Sequence, residues 1–171
     1  MRISHSAIAS TCLYSPTLTL TDMKLEDEIA QRKFRNERHK VAVNILYTYG
    51  WLTALHARIF KEHGVTTQQF NVLRILRGQH PEPTTIKHIK HRMLDKMSDA
   101  SRIVEKLRQK GLLERHISSH DRRHVDVFIT KKGLKILSDL DKRDKEFDNH
   151  SSRLSIKETE QLNLLLDKLR G

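Results

Sequence analysis

The chain has 171 residues, of which 37% are hydrophobic and 31% are charged, and its formal net charge is +11. This composition can bury a core, is too polar for a membrane-spanning protein, and favours an anionic partner such as nucleic acid. Because Cys12 is the only cysteine, an intrachain disulfide framework and a cysteine-built zinc site are excluded, and the cytoplasm is the expected compartment.

The first 22 residues differ in composition from the rest of the chain. They are rich in Ser and Thr, and Arg2 and Asp22 are their only formally charged residues. Polar residues and Pro16 interrupt every apolar run, so the pattern does not favour a secretory signal peptide. We expect residues 1–22 to be a disordered tail, or translation to begin at Met23.

Residues 23–63 predict a long N-terminal helix that allows one break. One helical stripe repeats at steps of four and three residues: Val41, Ile45, Thr48, Leu52, Leu55 and Ile59. Further apolar residues lie off this stripe, so the helix should pack against more than one partner. Gly64 marks its end.

Three shorter helices are predicted next. The first is Thr67–Arg77, capped by Thr66 or Thr67, and the second runs from a cap at Thr84 or Thr85 to about Met93. A tight turn at 94–96 leads into the third helix, which Gly111 ends. We expect an inward row of apolar residues on the third helix: Met97, Ala100, Val104 and Leu107.

A β-hairpin and two further helices complete the chain. The apolar-rich segments 112–117 and 125–129 flank a polar loop, which is the pattern of a hairpin. Thr130 caps the next helix. Ser155 and Glu158 form a capping box before the last helix, whose apolar face is Leu162, Leu165, Leu166 and Leu169.

The order of these elements predicts a mostly α-helical protein with a small β-hairpin wing. Residues 64–130 fit a winged helix-turn-helix, and the regions 23–63 and 131–171 supply N- and C-terminal dimerisation helices. These outer helices are too apolar to be solvated singly, and a two-fold dimer is the simplest way to cover them.

The residues around the third short helix and the hairpin tip predict a DNA-binding surface. Residues 84–123 hold eleven Lys/Arg and five Asp/Glu, a net charge of +6. In a helix-turn-helix the second helix places its N-terminal turns in the major groove, where hydroxyls and arginine can contact base edges. The predicted contacts are Thr85, Lys87, Lys96, Ser98, Asp99, Ser101, Arg102, Arg122 and Arg123.

The hairpin tip is suited to the minor groove. Arginine is the cation best matched to a narrow, electronegative groove, and Asp121 can hold the guanidinium of a nearby arginine in one rotamer.

Three runs resemble the MarR family of bacterial winged-helix transcription regulators: SRIVEKLRQKGLLER at 101–115, DRR at 121–123 and VFITKKG at 127–133. The resemblance covers roughly residues 41–170. It implies a homodimer that binds double-stranded DNA at a pseudo-palindromic operator, through an interface built from the first and the last two helices. It also implies that Arg123 is the minor-groove arginine and Asp121 its orienting partner.

Other kinds of site have weaker support. A small-molecule effector pocket at Tyr47, Trp51 and His56 is an open alternative to interface packing, because the family often binds effectors between the DNA-binding lobe and the dimer helices. The histidine spacings do not favour a metal site, since His116, His120 and His124 lie across a hairpin and its loop. No catalytic motif is present, so neither an enzyme nor a cofactor is expected.

The leading hypothesis is therefore a dimeric, sequence-specific DNA-binding transcription regulator, most simply a repressor. Two alternatives stay open at this point. A non-specific architectural nucleic-acid-binding protein would share the charge but would need no base-reading helix. A winged-helix protein-interaction module would use the same basic face for an acidic partner.

Overall fold

The computed structural model describes residues 24–117 and 125–171, so the first 23 residues and the hairpin tip lie outside it. Two compact units are present, Met1–Thr48 and Tyr49–Gly171. The helices and strands, in chain order, are α1 (Leu25–Glu28), α2 (Glu37–Glu62), α3 (Thr67–Arg77), β1 (Thr84–Thr85), α4 (Ile86–Arg92), α5 (Ala100–Gln109), β2 (Leu113–Ile117), β3 (Val125–Ile129), α6 (Lys131–Asp141), α7 (Asp144–Asp148), a 3₁₀ turn (Asn149–Ser151) and α8 (Ile156–Arg170).

The first unit contains α1 and the beginning of α2. The predicted break falls between these helices, where Ala30 adopts a positive φ of 51°. The Lys40 ammonium pairs with the Glu26 carboxylate, and this hydrogen bond lowers the pKa of Glu26. The Tyr47 hydroxyl donates to Glu28. Polar side-chain contacts therefore hold α1 against the start of α2.

The second unit has one core, to which α3, α4, α5, α6 and the sheet contribute. Its largest fully buried side chains are Phe60, Leu73, Leu76, Ile89, Met93, Leu107, Leu112, Leu113, Leu137 and Leu140. Each such side chain contributes roughly 1.5–3 kcal/mol by leaving water. At the edge of this core a bidentate ion pair between Arg77 and Asp141 joins α3 to α6.

Side-chain caps begin four of the helices at the places that the sequence predicts. The Thr66 hydroxyl accepts a hydrogen bond from the backbone N–H of Gln69 at 3.2 Å, and the Gln69 side-chain oxygen accepts one from the backbone N–H of Thr66. Thr85 caps α4, Thr130 caps α6 and Ser155 caps α8. Each cap satisfies a backbone N–H that has no partner inside the helix.

The predicted hairpin is confirmed, and a third strand joins it. Strands β2 and β3 pair antiparallel from Leu113↔Ile129 to Ile117↔Val125. The two-residue β1 pairs with the other edge of β3, with Thr84 opposite Val127. The local sequence around Thr84 indicates only a candidate helix cap. It is a strand residue because its backbone meets β3 in the folded chain.

The third short helix begins later than predicted, and the prediction that Met97 lies in the core is wrong. Helix α5 starts at Ala100, and Met97 is 94% exposed. The Asp95 and Asp99 carboxylates accept backbone N–H groups, which favours a turn over a further turn of helix. Lys96 and Ser98 therefore precede the helix instead of lying on it. The other three predicted inward residues, Ala100, Val104 and Leu107, are buried.

The last helix has a different environment. Within the described residues, α8 has no buried side chain. Its exposed large apolar residues are Ile156, Leu162, Leu164, Leu165 and Leu169. In the parts of the chain that the structure describes, no helix is both long enough and apolar enough to span a membrane.

Candidate nucleic-acid interface

Helix α5 presents one fixed polar side. Val104 and Leu107 are completely buried, and Ala100 is 3% exposed, so they anchor the helix to the core. Ser101 and Arg102 are exposed on the first turn. Because the buried row determines the rotation of the helix, it also determines which side chains face outward at its N-terminal end.

A network of hydrogen bonds shapes the turn before α5. Asp95 accepts the Ser98 hydroxyl at 2.6 Å and the Met97 backbone N–H at 3.0 Å, and these bonds lower the pKa of its carboxyl. The Leu94 N–H donates to Asn71 on α3 at 3.1 Å. The Lys96 ammonium donates to the carbonyl of His91 at the end of α4. The turn is thus attached to both preceding helices.

Most of the predicted contact residues lie at the starts of α4 and α5 or in the turn before α5. Asp99 caps α5 by accepting the Arg102 backbone N–H at 3.1 Å, so one of its oxygens is already used. Thr85 similarly accepts the His88 N–H at 3.2 Å and caps α4. Lys87 is exposed on the first turn of α4, which packs against α5.

The predicted wing contacts Asp121, Arg122 and Arg123 lie outside the described residues. Strands β2 and β3 pair up to Ile117↔Val125, the described residues on either side of the tip.

Positive charge is partly neutralised at the other end of α5. Glu105 accepts two hydrogen bonds from Arg108, at 2.8 and 3.0 Å, and one from Arg115 on β2 at 3.4 Å. These contacts, led by Arg108, lower the pKa of Glu105 to about 2. Glu105 is therefore ionised at neutral pH and offsets these two cations, whereas Ser101 and Arg102 lie at the opposite end of the helix.

A cavity of about 410 Å³ lies beside this surface, within the second unit. Phe60 and Phe70 stack at 4.4 Å and form its aromatic side. The Arg74 guanidinium lies 5.9 Å from the centre of the Phe70 ring, and Arg92 and Leu94 also line the cavity.

Only one of the three predicted effector residues lines that cavity. It is His56, whose pKa is lowered by burial and by the neighbouring His150. Trp51 packs edge-to-face on His150 at 6.1 Å instead. Tyr47 belongs to the first unit, where it bonds to Glu28. Among residues 24–117 and 125–171, no group of three His, Cys, Asp or Glu side chains could hold a metal ion.

Comparison with known proteins identifies the family. Residues 63–124 match the MarR family. The HTH-type transcriptional regulator MhqR of Bacillus subtilis (strain 168) is 32% identical over 109 residues, which are 63% of this chain and 74% of the relative. This chain belongs to the MarR family.

Solved structures of MarR proteins share its fold. A MarR transcription factor from Planctomyces limnophilus has 28% identity and a TM-score of 0.60, covering 79% of this chain and 98% of the other. A mutant MarR from E. coli, complexed with operator DNA, has 22% identity and a TM-score of 0.70, covering 81% and 99%. The chain is thus a winged-helix transcriptional regulator of the MarR family.

Several residues that shape the MarR-family surface were missed in the sequence. Asn71 and Asp95 position the turn, and Glu105 sets the charge at the far end of α5. Asp95 had a usable signal, because an Asp two or three residues before backbone donors commonly forms a turn. Asn71 gives no such signal in the sequence, since its side-chain oxygen reaches the Leu94 N–H only when α3 packs against the turn.

Proposed function

We propose that this MarR-family chain is a dimeric repressor that binds a pseudo-palindromic operator through α5 and the wing. The exposed pair Ser101 and Arg102, on a helix whose other side is buried, carries the proposal. A hydroxyl can contact base edges or phosphate, and arginine can bind guanine through two hydrogen bonds. The positive end of the α5 dipole favours a phosphate nearby. The E. coli relative was crystallised with operator DNA, which supports the proposal.

The wing is proposed to bind the adjacent minor groove. Following the family resemblance, Arg123 enters the groove, Asp121 orients it and Arg122 adds a second cation. Thr85 and Lys87, at the start of α4, are proposed to contact the phosphate backbone, as is the ammonium of Lys96. The Ser98 hydroxyl, which donates to Asp95, is proposed to hold the turn in place. Phosphate contacts set the register of the protein on the duplex, whereas base contacts provide the specificity.

Dimerisation is proposed from the apolar surface of α8. Leu162, Leu165 and Leu169 are spaced along one face of the helix and remain substantially exposed in the single chain. A protein rarely leaves such a row in water, and a two-fold symmetric contact would cover it with the same row of a second copy. The dimer would present two α5 helices to two half-sites.

The decisive experiment is selection of bound duplexes from a random DNA pool, followed by binding measurements at two salt concentrations. We expect an inverted repeat whose half-sites lie about 10 base pairs apart, one helical turn. Specific binding should exceed binding to random DNA at both salt concentrations, because base contacts survive when the phosphate attraction is weakened. The protein should also lower transcription from a promoter that overlaps the selected site.

A charged substitution in the apolar row tests the dimer in the same assay. Leu165→Lys should shift the mass in sedimentation from dimer to monomer and weaken operator binding at least tenfold. Glu160→Gln adds the same charge on the opposite side of α8 and should change neither. If the unsubstituted protein sediments as a monomer while it binds the full operator, the proposed dimer is wrong. Equal binding to random and selected DNA favours the non-specific architectural protein.

We further propose that the cavity beside the turn binds a small aromatic anion as effector. The half-buried Phe70 ring lines the cavity and can contact an aromatic ring, and Arg74 and Arg92 can pair with its carboxylate. Because Leu94 lines the cavity and begins the turn before α5, an occupant can favour one position of that turn. A ligand changes DNA affinity only if it prefers one such position.

Benzoate is a suitable probe for this cavity. We expect it to bind the free protein and to change operator affinity, whereas cyclohexylmethanol, which lacks the aromatic ring and the charge, should do neither. Arg74→Gln should weaken benzoate binding about tenfold, the effect of losing one charge-assisted hydrogen bond. Arg58→Ala removes an exposed arginine that does not line the cavity and is the control. Equal benzoate affinity in the parent and in Arg74→Gln rejects the site.

A further inference from the structure

Met97 is the most exposed large hydrophobic residue in the described part of the chain. Its side chain is 94% exposed, although methionine is usually found in protein cores. It lies two residues before Asp99, the cap of α5, and therefore at the same end of the helix as Ser101 and Arg102. An apolar side chain in this cationic surface needs an explanation, because folding gains nothing from its exposure.

The exposure of Met97 is built into the backbone of the turn. Its N–H donates to Asp95 at 3.0 Å, and the following residue, Ser98, donates its hydroxyl to the same carboxylate at 2.6 Å. Three residues earlier, the Leu94 N–H donates to Asn71 of α3. These hydrogen bonds fix the backbone on both sides of Met97, which lowers the entropy cost of any contact that its side chain makes.

We propose that Met97 contacts the 5-methyl group of a thymine in the major groove and so selects thymine at one position of each half-site. This inference rests on the proposed DNA-binding function. The thymine methyl is the apolar group that base edges offer in the major groove, and specific proteins contact it with apolar side chains. Lys96 and Arg102 lie on either side of Met97 in the chain, so the surface around it complements an anionic duplex better than an apolar protein partner.

The neighbouring Leu94 does not share this role. It is also highly exposed, but it lines the cavity formed with α2, α3 and the end of α4. Because Leu94 belongs to the proposed effector cavity, the matched control for Met97→Ala is Ile156→Ala. It removes an apolar side chain of similar size that is 80% exposed at the start of α8.

The test replaces each thymine of the selected operator in turn with deoxyuridine, which lacks only the methyl group. We expect one position in each half-site at which the parent loses about fourfold in affinity, the equivalent of one methyl group returned to water. Met97→Ala should bind the thymine operator more weakly than the parent and should be insensitive to deoxyuridine at that position. The two changes would then be non-additive, as expected of groups in contact.

The controls separate this inference from the proposed function. Ile156→Ala should keep the full deoxyuridine effect, and thermal unfolding should show that both variants fold. Uniform affinity of the parent for all deoxyuridine operators overturns the methyl contact. Retention of the fourfold effect in Met97→Ala overturns it as well. In either case specific binding to the selected operator stands, whereas failure to select any sequence overturns the proposed function itself.

Discussion

Gly133→Ala should lower the free energy of unfolding by about 3 kcal/mol, near the upper end of the cost of overpacking. A Cβ at this position would lie 2.4 Å from the carbonyl oxygen of Leu112 and 2.8 Å from a side-chain carbon of Ile129. The first of these atoms belongs to the backbone and cannot rotate away. Either α6 must move away from the sheet, or the start of β2 must shift.

The expected cost is large because Gly133 lies where three elements meet. Thr130 caps α6 by accepting the Gly133 N–H, and its own N–H and hydroxyl donate to the carbonyls of Leu112 and Gly111. Lys132 donates to the carbonyl of Lys110 at 2.9 Å. A displacement of α6 by even a fraction of an ångström therefore weakens several hydrogen bonds between α5, the sheet and α6.

Urea unfolding followed by circular dichroism measures the effect, and Gly78→Ala is the matched control. Gly78 ends α3 with a φ of −68°, which alanine adopts without strain, and a Cβ there meets its nearest atom at 3.6 Å. We expect Gly78→Ala to leave stability unchanged or to raise it by about 0.4–1 kcal/mol, since alanine restricts the unfolded chain. Equal stability of the two variants would show that α6 and the start of β2 can move apart around Gly133 at little cost in free energy.

Arg102→Ala should weaken operator binding by about 10- to 100-fold while leaving the unfolding transition unchanged. A base contact by arginine contributes about 1–3 kcal/mol of discrimination, and the exposed Arg102 side chain lies at the N-terminal end of α5, where such contacts are made. The cap itself should persist, because it uses the backbone N–H of residue 102 and not its side chain.

Arg58→Ala is the control for charge in this experiment. Arg58 is an exposed arginine of α2, so both variants lose one positive charge. Fluorescence anisotropy with operator and with random duplexes separates the two effects. Arg102→Ala should lose most of its preference for the operator, whereas Arg58→Ala should keep it. An equal loss in the two variants would mean that Arg102 contributes only through net charge.

Much of the fold could be predicted because its signals are local. Thr66, Thr85, Thr130 and Ser155 each accept an N–H three residues ahead, so a short sequence window contains both partners of the bond. The hairpin was equally accessible, since its strands are adjacent in sequence. For the candidate site, the same local patterns placed Ser101 and Arg102 correctly at the exposed start of α5.

The errors have the opposite character. Met97 fits the helical spacing of the buried row. However, the Asp95 and Asp99 carboxylates accept backbone N–H groups there, so the chain forms a turn and the helix begins only at Ala100. Strand β1 consists of two threonines, too few to give a strand pattern, and it exists through pairing with β3 more than 40 residues later. The predicted effector pocket at Tyr47, Trp51 and His56 stays a prediction. His56 lines the cavity, and both Trp51 and His56 pack on His150.

By itself, the sequence determined the family, the order of the main helices and the hairpin, the capped helix starts and the concentration of positive charge between residues 84 and 123. These features depend on hydrogen bonds between residues within one helical turn and on the regular spacing of apolar side chains along a single helix or strand. Only the tertiary structure decided that Thr84 is a strand residue, that Gly133 cannot accept a side chain and that Met97 lies in solvent before the first turn of α5. In the first two cases the deciding atoms are distant in sequence. In the third case, a further turn of helix competes with a turn that the Asp95 and Asp99 carboxylates stabilise, and the apolar spacing alone does not tell which of the two forms.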